Sequence, residues 1–519
     1  MSADKQNHSL LLGTLTLTAS GLAARFAGFF YRIYLSRKIS AEAMGLYQLV
    51  YPLYSICFSL CCASFQTALS RFVAAEYPKP GGGHSLRYLA CGLFLSLSLA
   101  FPASMILFLS APWIASHILG DPRCCPLLKI MAWSVPLSAI HSCLCGYYYG
   151  RSRASIPASA QIMEQLVRIS TVMIVIFRAK QTGKEITAFY AALGHFAGEM
   201  GALLTSSFFF LAELRRRNAF KTGCTATPSG SLKRFRRARP GIFHSLLLLT
   251  LPLMANRISL SLLQSSETIL IPSRLRLFGL SASDALSLYG VFTGMAFPFV
   301  LFPTALTGSL SVMLLPHIAR AQSEQAYDSI STSASVSIRC SLILGILFSG
   351  LFLHYGTAIG TTLFRNETAG ILLKILAWLC PFLYVSGTMA SILNGLGYTK
   401  ITFLHNLAGL ALRFACVLLI VPFLGIRGYL YGLLAGELLL TVCHLRFLCR
   451  KGLLFSFSFF QEIFRPVFCV LISSGIIKGA ETLSFFSALP PLGSLIVSGC
   501  LFVFCYGMLL WLLKPATLL

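Results

Sequence analysis

The chain has 519 residues, of which 56% are hydrophobic and only 11% are charged, and its mean hydropathy is +0.77. A soluble domain carries about 25% charged residues, so this composition excludes a water-soluble globular protein. The net charge of +25 would suit a nucleic-acid-binding protein. However, the basic residues gather in particular loops between apolar segments, so we expect no nucleic-acid partner.

Fourteen apolar segments follow one another along the chain. Each is close to the length of about 20 residues that a helix needs to cross roughly 30 Å of hydrocarbon. They lack the alternation in ten-residue segments that marks a transmembrane barrel. The sequence therefore predicts an all-α polytopic membrane protein. The predicted spans are residues 10–35, 44–72, 87–111, 126–149, 157–177, 186–212, 243–271, 286–314, 330–354, 370–394, 400–422, 428–448, 464–481 and 491–513.

The loop between the sixth and seventh spans sets the predicted orientation. Residues 215–239 hold nine Lys or Arg and no Asp or Glu, and the positive-inside rule assigns such a loop to the cytoplasm. With an even number of spans, both termini are then cytoplasmic in a multi-pass protein of the cell membrane, surrounded by membrane lipids. The first apolar run is too long for the core of a signal peptide, so we expect the mature protein to retain it.

The sequence contains an internal duplication. The string LLKIMAWSVPL at 127–137 nearly recurs as LLKILAWLCPF at 372–382, with seven of eleven positions identical. Downstream of these strings, Arg168 pairs with Arg413, and the element AGE ending at Glu199 pairs with AGE ending at Glu437. Each copy holds six spans, so both enter the membrane from the same side, as in parallel-repeat transporters. The predicted domains are an N-terminal lobe (1–212), a basic cytoplasmic linker (213–242), a C-terminal lobe (243–448) and two added helices (449–519).

Basic side chains inside the predicted spans are candidates for substrate binding. A charge at the bilayer centre costs about 2.5–3.5 kcal/mol, so it persists only beside a partner or a wet cavity. Arginines outnumber acids in these spans, and the guanidinium fork can bind phosphate bidentately. We therefore expect an anionic substrate in a central cavity between the lobes; the alternative is that the arginines only hold helices together. The predicted substrate-binding residues are Arg25, Arg32, Arg168, Arg257, Arg413, Gln66, Asn256 and Gln264.

Carboxylates in the spans have two open roles. Glu164 precedes Arg168 by four residues, which is the spacing of an ion pair on one helix face. The carboxylates either bind a coupling ion, Na⁺ or H⁺, or neutralise nearby arginines. The residues in question are Glu164, Glu199, Glu267 and Glu437.

No catalytic residue, cofactor or metal site is predicted. The loop PKPGGGH at 78–84 lacks the GK[ST] ending of a phosphate-binding loop, and HExxH and GxSxG are absent. His195 is expected on a packed helix face. A membrane glycan polymerase would need a large outside loop with catalytic groups, whereas every predicted outside loop is short. A transporter is therefore favoured, and a non-transporting partner in envelope assembly is an alternative.

Several segments resemble the stage V sporulation protein B family: residues 13–60, IPASAQIMEQLVRI (156–169), LPLMANRISLSLLQSSETILIP (251–272) and LFPTALTGSLSVMLLPHIARA (301–321). This family belongs to the multidrug/oligosaccharidyl-lipid/polysaccharide exporter superfamily. The resemblance implies two six-helix lobes plus two helices, and a flippase that moves an undecaprenyl pyrophosphate-linked glycan by alternating access for peptidoglycan or spore-cortex synthesis. It also implies cell-wall synthesis enzymes as partners, while coupling to Na⁺, H⁺ or the membrane potential stays open. A cation-coupled multidrug exporter of the same superfamily is the alternative, but it would need an acidic cavity.

The resemblance carries over to the first helix only in part. Related lipid II flippases have two essential arginines there, six residues apart, and Arg25 matches the first. The second position is occupied by Tyr31, with Arg32 one residue later, and residues 50–62 lack the arginine that those flippases carry early in the second helix. Identical substrate handling therefore does not follow from the resemblance.

Overall fold

The computed structural model describes residues 3–76, 85–222, 241–452, 460–482 and 489–513. The loop 78–84 and most of the predicted linker 213–242 lie outside these residues. Throughout the described ranges the regular secondary structure is helical, with no strand. The all-α prediction is confirmed.

The helices follow the predicted spans closely. In the first half of the chain they are α1 (Ala3–Ser36), α2 (Ala41–Glu76), α3 (Ser85–Ile118), α4 (Cys124–Gly150), α5 (Ser155–Gln181), α6 (Ala188–Thr222) and α7 (Gly241–Leu277). In the second half they are α8 (Ala282–Leu301), α9 (Thr304–Ser323), α10 (Tyr327–Phe364), α11 (Glu367–Gly395), α12 (Thr399–Leu419), α13 (Ile426–Arg450), α14 (Phe460–Glu481) and α15 (Pro491–Leu512). The eighth predicted span, 286–314, is divided between α8 and α9, which are separated by Phe302 and Pro303.

By length and composition, twelve helices in the described part of the chain can cross a membrane; α1, α6 and α9 are the long helices outside that set. Each of the fourteen predicted spans nevertheless coincides with a helical segment. The protein is therefore a multi-pass membrane protein, and the orientation of its termini stays a prediction.

The chain divides into two compact units. Unit 1 comprises Met1–Tyr31 and Leu46–Ile269, and unit 2 comprises Arg32–Gly45 and Leu270–Leu519. The boundaries thus fall within α1, α2 and α7, and not in the predicted linker. The division into lobes at 212 and 243 stays a prediction.

Glycines allow the central helices of each unit to pack closely. In unit 1, a Cβ at Gly146 of α4 would lie 2.6 Å from the backbone oxygen of Gln66 on α2. In unit 2, a Cβ at Gly345 of α10 would lie 2.5 Å from the Cα of Pro381 on α11. Backbones that approach this closely leave no room for a side chain, as is common between membrane helices. These contacts fix the fourth helix of each predicted lobe, which carries part of the candidate site.

Candidate functional site

The fifth and sixth helices of each predicted lobe pack through a G-x-x-x-G pair. In unit 1, Gly194 and Gly198 of α6 face α5, and a Cβ at Gly198 would lie 3.2 Å from the Cβ and Nε of Arg168. In unit 2, the corresponding Gly436 of α13 faces α12, and a Cβ there would lie 2.7 Å from Cγ of Arg413. In each unit, therefore, an equivalent arginine packs against an equivalent glycine. This repeated local geometry agrees with the internal duplication.

Arg168 forms the ion pair that its spacing predicted. Its Nη2 pairs with Oε1 of Glu164 one turn earlier on α5, and the two side chains are 16% and 20% exposed. The same Nη2 lies 3.4 Å from Nδ1 of His195 on α6. His195 is buried, as expected for a packed helix face, but it also contacts a charged group. Arg168 is thus held from two helices.

Glu199 of α6 lies in a buried cluster of hydroxyl groups. Its Oε1 accepts a hydrogen bond from the Tyr54 hydroxyl of α2 at 3.1 Å, and its Oε2 lies 2.7 Å from Oγ of Ser138 on α4, within hydrogen-bond distance. The hydroxyl oxygens of Tyr54 and Ser138 are themselves 2.8 Å apart. The Tyr54 ring also meets His195 edge-on, with centroids 4.7 Å apart. Three helices of unit 1 therefore converge on one carboxyl group.

The corresponding carboxylate of unit 2 has a simpler environment. Oε2 of Glu437 accepts a hydrogen bond from Ser386 of α11 at 3.0 Å. Arg413 is close enough to attract it electrostatically. Glu437 is half-buried, whereas Glu199 is only 8% exposed. The two units share the arginine and the carboxylate but differ in the hydroxyl groups around them.

The remaining candidates from the first helix of each predicted lobe are more exposed. Arg25 of α1 and Arg257 of α7 are exposed, and Nη2 of Arg257 donates to the Thr67 hydroxyl at 3.0 Å. In unit 2, Nη1 of Arg32 lies 3.5 Å from the backbone oxygen of Thr293. The other predicted side chains vary: Asn256 and Gln264 are exposed, Gln66 is half-buried and Glu267 is buried. A cavity common to all of these residues stays a prediction.

Sequence reasoning missed Tyr54, Ser138 and Ser386 as partners of the carboxylates, because isolated hydroxyl residues in apolar helices carry no charge signal. The G-x-x-x-G spacing at 194–198 and again at 432–436 was a usable signal, since it predicts which helix face packs closely. Among the described residues, no three His, Cys, Asp or Glu side chains converge as metal ligands.

Comparisons with known proteins agree with this architecture. The stage V sporulation protein B of Bacillus subtilis (strain 168) is 27% identical over 443 residues, which cover 84% of this chain and 83% of that protein. The lipid II flippase MurJ of the same organism is 27% identical over 206 residues, or 38% of each chain. A solved structure of lipid II flippase MurJ in an inward closed conformation has a TM-score of 0.69 at 12% identity, covering 95% of this chain and 98% of that chain.

The resemblance to the stage V sporulation protein B family is confirmed by these matches. The sequence profile of the family described as Polysaccharide biosynthesis protein matches residues 10–322, more than half of the chain. The chain therefore belongs to the polysaccharide biosynthesis protein family.

Proposed function

We propose that the protein is a flippase that moves an undecaprenyl pyrophosphate-linked glycan across the cytoplasmic membrane by alternating access. The observation that carries this proposal is the exposure of Arg257 on the membrane helix α7, together with the exposure of Arg25 on α1. Arg257 lies near the middle of α7, where a guanidinium in contact with lipid would be costly. An exposed arginine at that depth is stable if it faces water or an anionic substrate.

The exposed face of α7 suits the headgroup of such a substrate. Asn256, Arg257 and Gln264 are all exposed on this helix. The guanidinium group can bind a phosphate through its fork, and the amide groups can hydrogen-bond to sugar hydroxyls. The prenyl chain can remain in lipid during transport. Translocation then needs no covalent chemistry, which agrees with the absence of catalytic motifs in the sequence.

The alternative of a cation-coupled drug exporter has less support. That function would need acidic side chains available to a cationic substrate. Instead, Glu199 and Glu267 are buried and Glu164 is paired with Arg168. The anionic glycan lipid therefore fits the exposed charges better. Relatives named as a lipid II flippase and a sporulation protein support the same choice.

Transport by purified protein in proteoliposomes tests the proposal. A fluorescently labelled undecaprenyl pyrophosphate-linked disaccharide would be placed in the vesicles, and its appearance in the opposite leaflet would be followed by quenching. We expect Arg25→Ala and Arg257→Ala to slow translocation strongly. The corresponding Lys variants should be impaired less, because they retain the charge but lose the fork.

Arg320→Ala provides a matched control, because Arg320 is an exposed arginine paired with Glu324 near the end of α9. It should translocate the labelled lipid at the rate of the unmodified protein. If well-expressed Arg25→Ala and Arg257→Ala proteins also kept the normal rate, the two arginines would not bind substrate and the proposal would be wrong.

A further inference from the structure

We infer that Glu199 is a proton-binding site and that it carries its proton in the conformation described here. The site belongs to unit 1 and is formed by α2, α4 and α6. Only its role as a coupling site for transport rests on the function proposed above. The argument depends on the number of hydrogen atoms available to the cluster around Glu199.

Four short oxygen–oxygen contacts surround the carboxyl group. Tyr54 Oη lies 3.1 Å from Oε1 of Glu199, and Ser138 Oγ lies 2.7 Å from its Oε2. The two hydroxyl oxygens are 2.8 Å apart, and Ser138 Oγ is also 2.9 Å from the backbone oxygen of Ser134. All four distances are in the range of hydrogen bonds between oxygen atoms or slightly longer.

An ionised Glu199 leaves too few hydrogens for these contacts. A hydroxyl group donates one hydrogen, whereas a carboxylate and a backbone carbonyl donate none. With Glu199 ionised, Tyr54 and Ser138 supply two hydrogens for four contacts. With Glu199 protonated, its hydroxyl donates to Ser138, Ser138 donates to the Ser134 carbonyl, and Tyr54 donates to Oε1. The protonated carboxyl therefore satisfies three of the four contacts, and the carboxylate satisfies two.

The surroundings contain no cation paired with Glu199. Among the described residues Glu199 takes part in no ion pair, because the adjacent Arg168 is paired with Glu164. An unpaired carboxylate that is only 8% exposed would be costly, whereas its protonated form is not. Besides Tyr54 and Ser138, the ionisable groups that act on Glu199 or on the neighbouring Arg168 are Tyr31, Tyr47, Tyr51, Cys62, Cys145, Glu164, Arg168 and His195.

Arg168 also supplies a way to stabilise Glu199 after the proton leaves. Its Nε is buried and has no hydrogen-bond partner in the described part of the chain. This atom would lie 3.2 Å from a Cβ at Gly198, the residue immediately before Glu199. Arg168 also acts electrostatically on Glu199, so its positive charge favours the carboxylate once the proton has left. Release of the proton would change how α5 and α6 are held together, which is the property required of a coupling site.

Unit 2 provides an internal comparison. Glu437 has one hydroxyl partner, Ser386, and is attracted by Arg413. Among the described residues, its one side-chain hydrogen bond is satisfied by the single hydrogen of Ser386, so the carboxylate form is sufficient there. Proton binding is thus assigned to one unit and not to both.

Infrared titration of the purified protein in nanodiscs, without substrate, tests this inference. We expect the stretching band of a buried protonated carboxyl group, which is lost when the pH is raised. Glu199→Gln should abolish the band, whereas the control Glu437→Gln should retain it. Ser138→Ala should shift the band, because the carboxyl hydroxyl loses its acceptor. If Glu199→Gln does not fold, Glu199→Asp should still change the band position.

The inference is overturned if no carboxyl band depends on Glu199. It is also overturned if Glu199→Gln abolishes binding of radioactive Na⁺ while the infrared spectrum shows no protonated carboxyl group, since the site would then hold a metal cation. Because these measurements contain no glycan lipid, a failure of the proposed flippase activity would leave their outcome unchanged. In proteoliposomes that transport the lipid, Glu199→Gln should remove the effect of an imposed pH gradient.

Discussion

Replacing Gly436 by alanine should displace Arg413 from the surface of α13. The added Cβ would lie 2.7 Å from Cγ and 2.9 Å from Cδ of Arg413. Non-bonded carbon atoms pack best at about 3.5–4.0 Å. The aliphatic part of Arg413 must therefore move by roughly 1 Å, and its guanidinium moves with it.

The energetic cost of this steric clash can be separated from the intrinsic preference of helices for alanine. Overpacking costs about 1–3 kcal/mol, while alanine gains about 1 kcal/mol over glycine in a helix interior. Gly387→Ala in α11 is a matched control, because nothing lies within 4 Å of the added Cβ. Both variants gain the same stability from helix propensity, because each replaces a glycine by an alanine inside a helix. The difference between them isolates the clash and should be about 1–3 kcal/mol.

Equilibrium unfolding in mixed detergent micelles would measure this difference in stability. A separate glycan-lipid binding assay would show whether displacing Arg413 lowers the affinity for the lipid. We expect Gly436→Ala to unfold at a lower denaturant concentration than Gly387→Ala. Equal unfolding midpoints would show that Arg413 does not pack over Gly436 as described, and would remove the structural basis for comparing it with Arg168.

Three further predictions concern the ion pairs. Arg151→Ala should destabilise the protein by about 1.5–3 kcal/mol, because the largely buried Glu213 loses its closest cation and keeps only the longer pair with Arg153; unfolding in mixed micelles checks this value. Arg320→Ala removes an exposed pair and should change stability by less than about 1 kcal/mol in the same assay. The double variant Glu164→Gln/Arg168→Gln should be more stable than either single variant, and a double-mutant cycle with no coupling energy would contradict the buried pairing.

The sequence was sufficient to predict the membrane helices and one ion pair. Apolar segments of about 20 residues identify spans because hydrocarbon thickness sets their length. The i,i+4 spacing of Glu164 and Arg168 depends only on helix geometry, so that contact was also predictable. Long helices, by contrast, did not reveal where one unit ends, since the boundary falls inside α7 at Ile269. A continuous helix gives no compositional sign of which helices it packs against.

The candidate site was predicted less completely than the helices. Arg168 and Glu199 stood out because charges are rare in membrane segments. The sequence could not show that Arg257 is exposed or that Arg168 also lies beside His195, because both contacts depend on how neighbouring helices pack. It also could not show that Tyr54 and Ser138, 84 residues apart, meet at Glu199. Such contacts depend on the packing of three helices and leave no local pattern.

The duplication explains why the two units resemble each other and where they have diverged. Arg168 packs against Gly198, and Arg413 packs against Gly436 in the equivalent position. Both copies of the repeat have therefore retained this contact. The carboxylate one residue further on was also kept, but its hydroxyl partners were not. In the inference drawn above, Glu199 binds its proton among two hydroxyl partners in unit 1, whereas Glu437 in unit 2 has the single hydroxyl partner Ser386 and the attraction of Arg413.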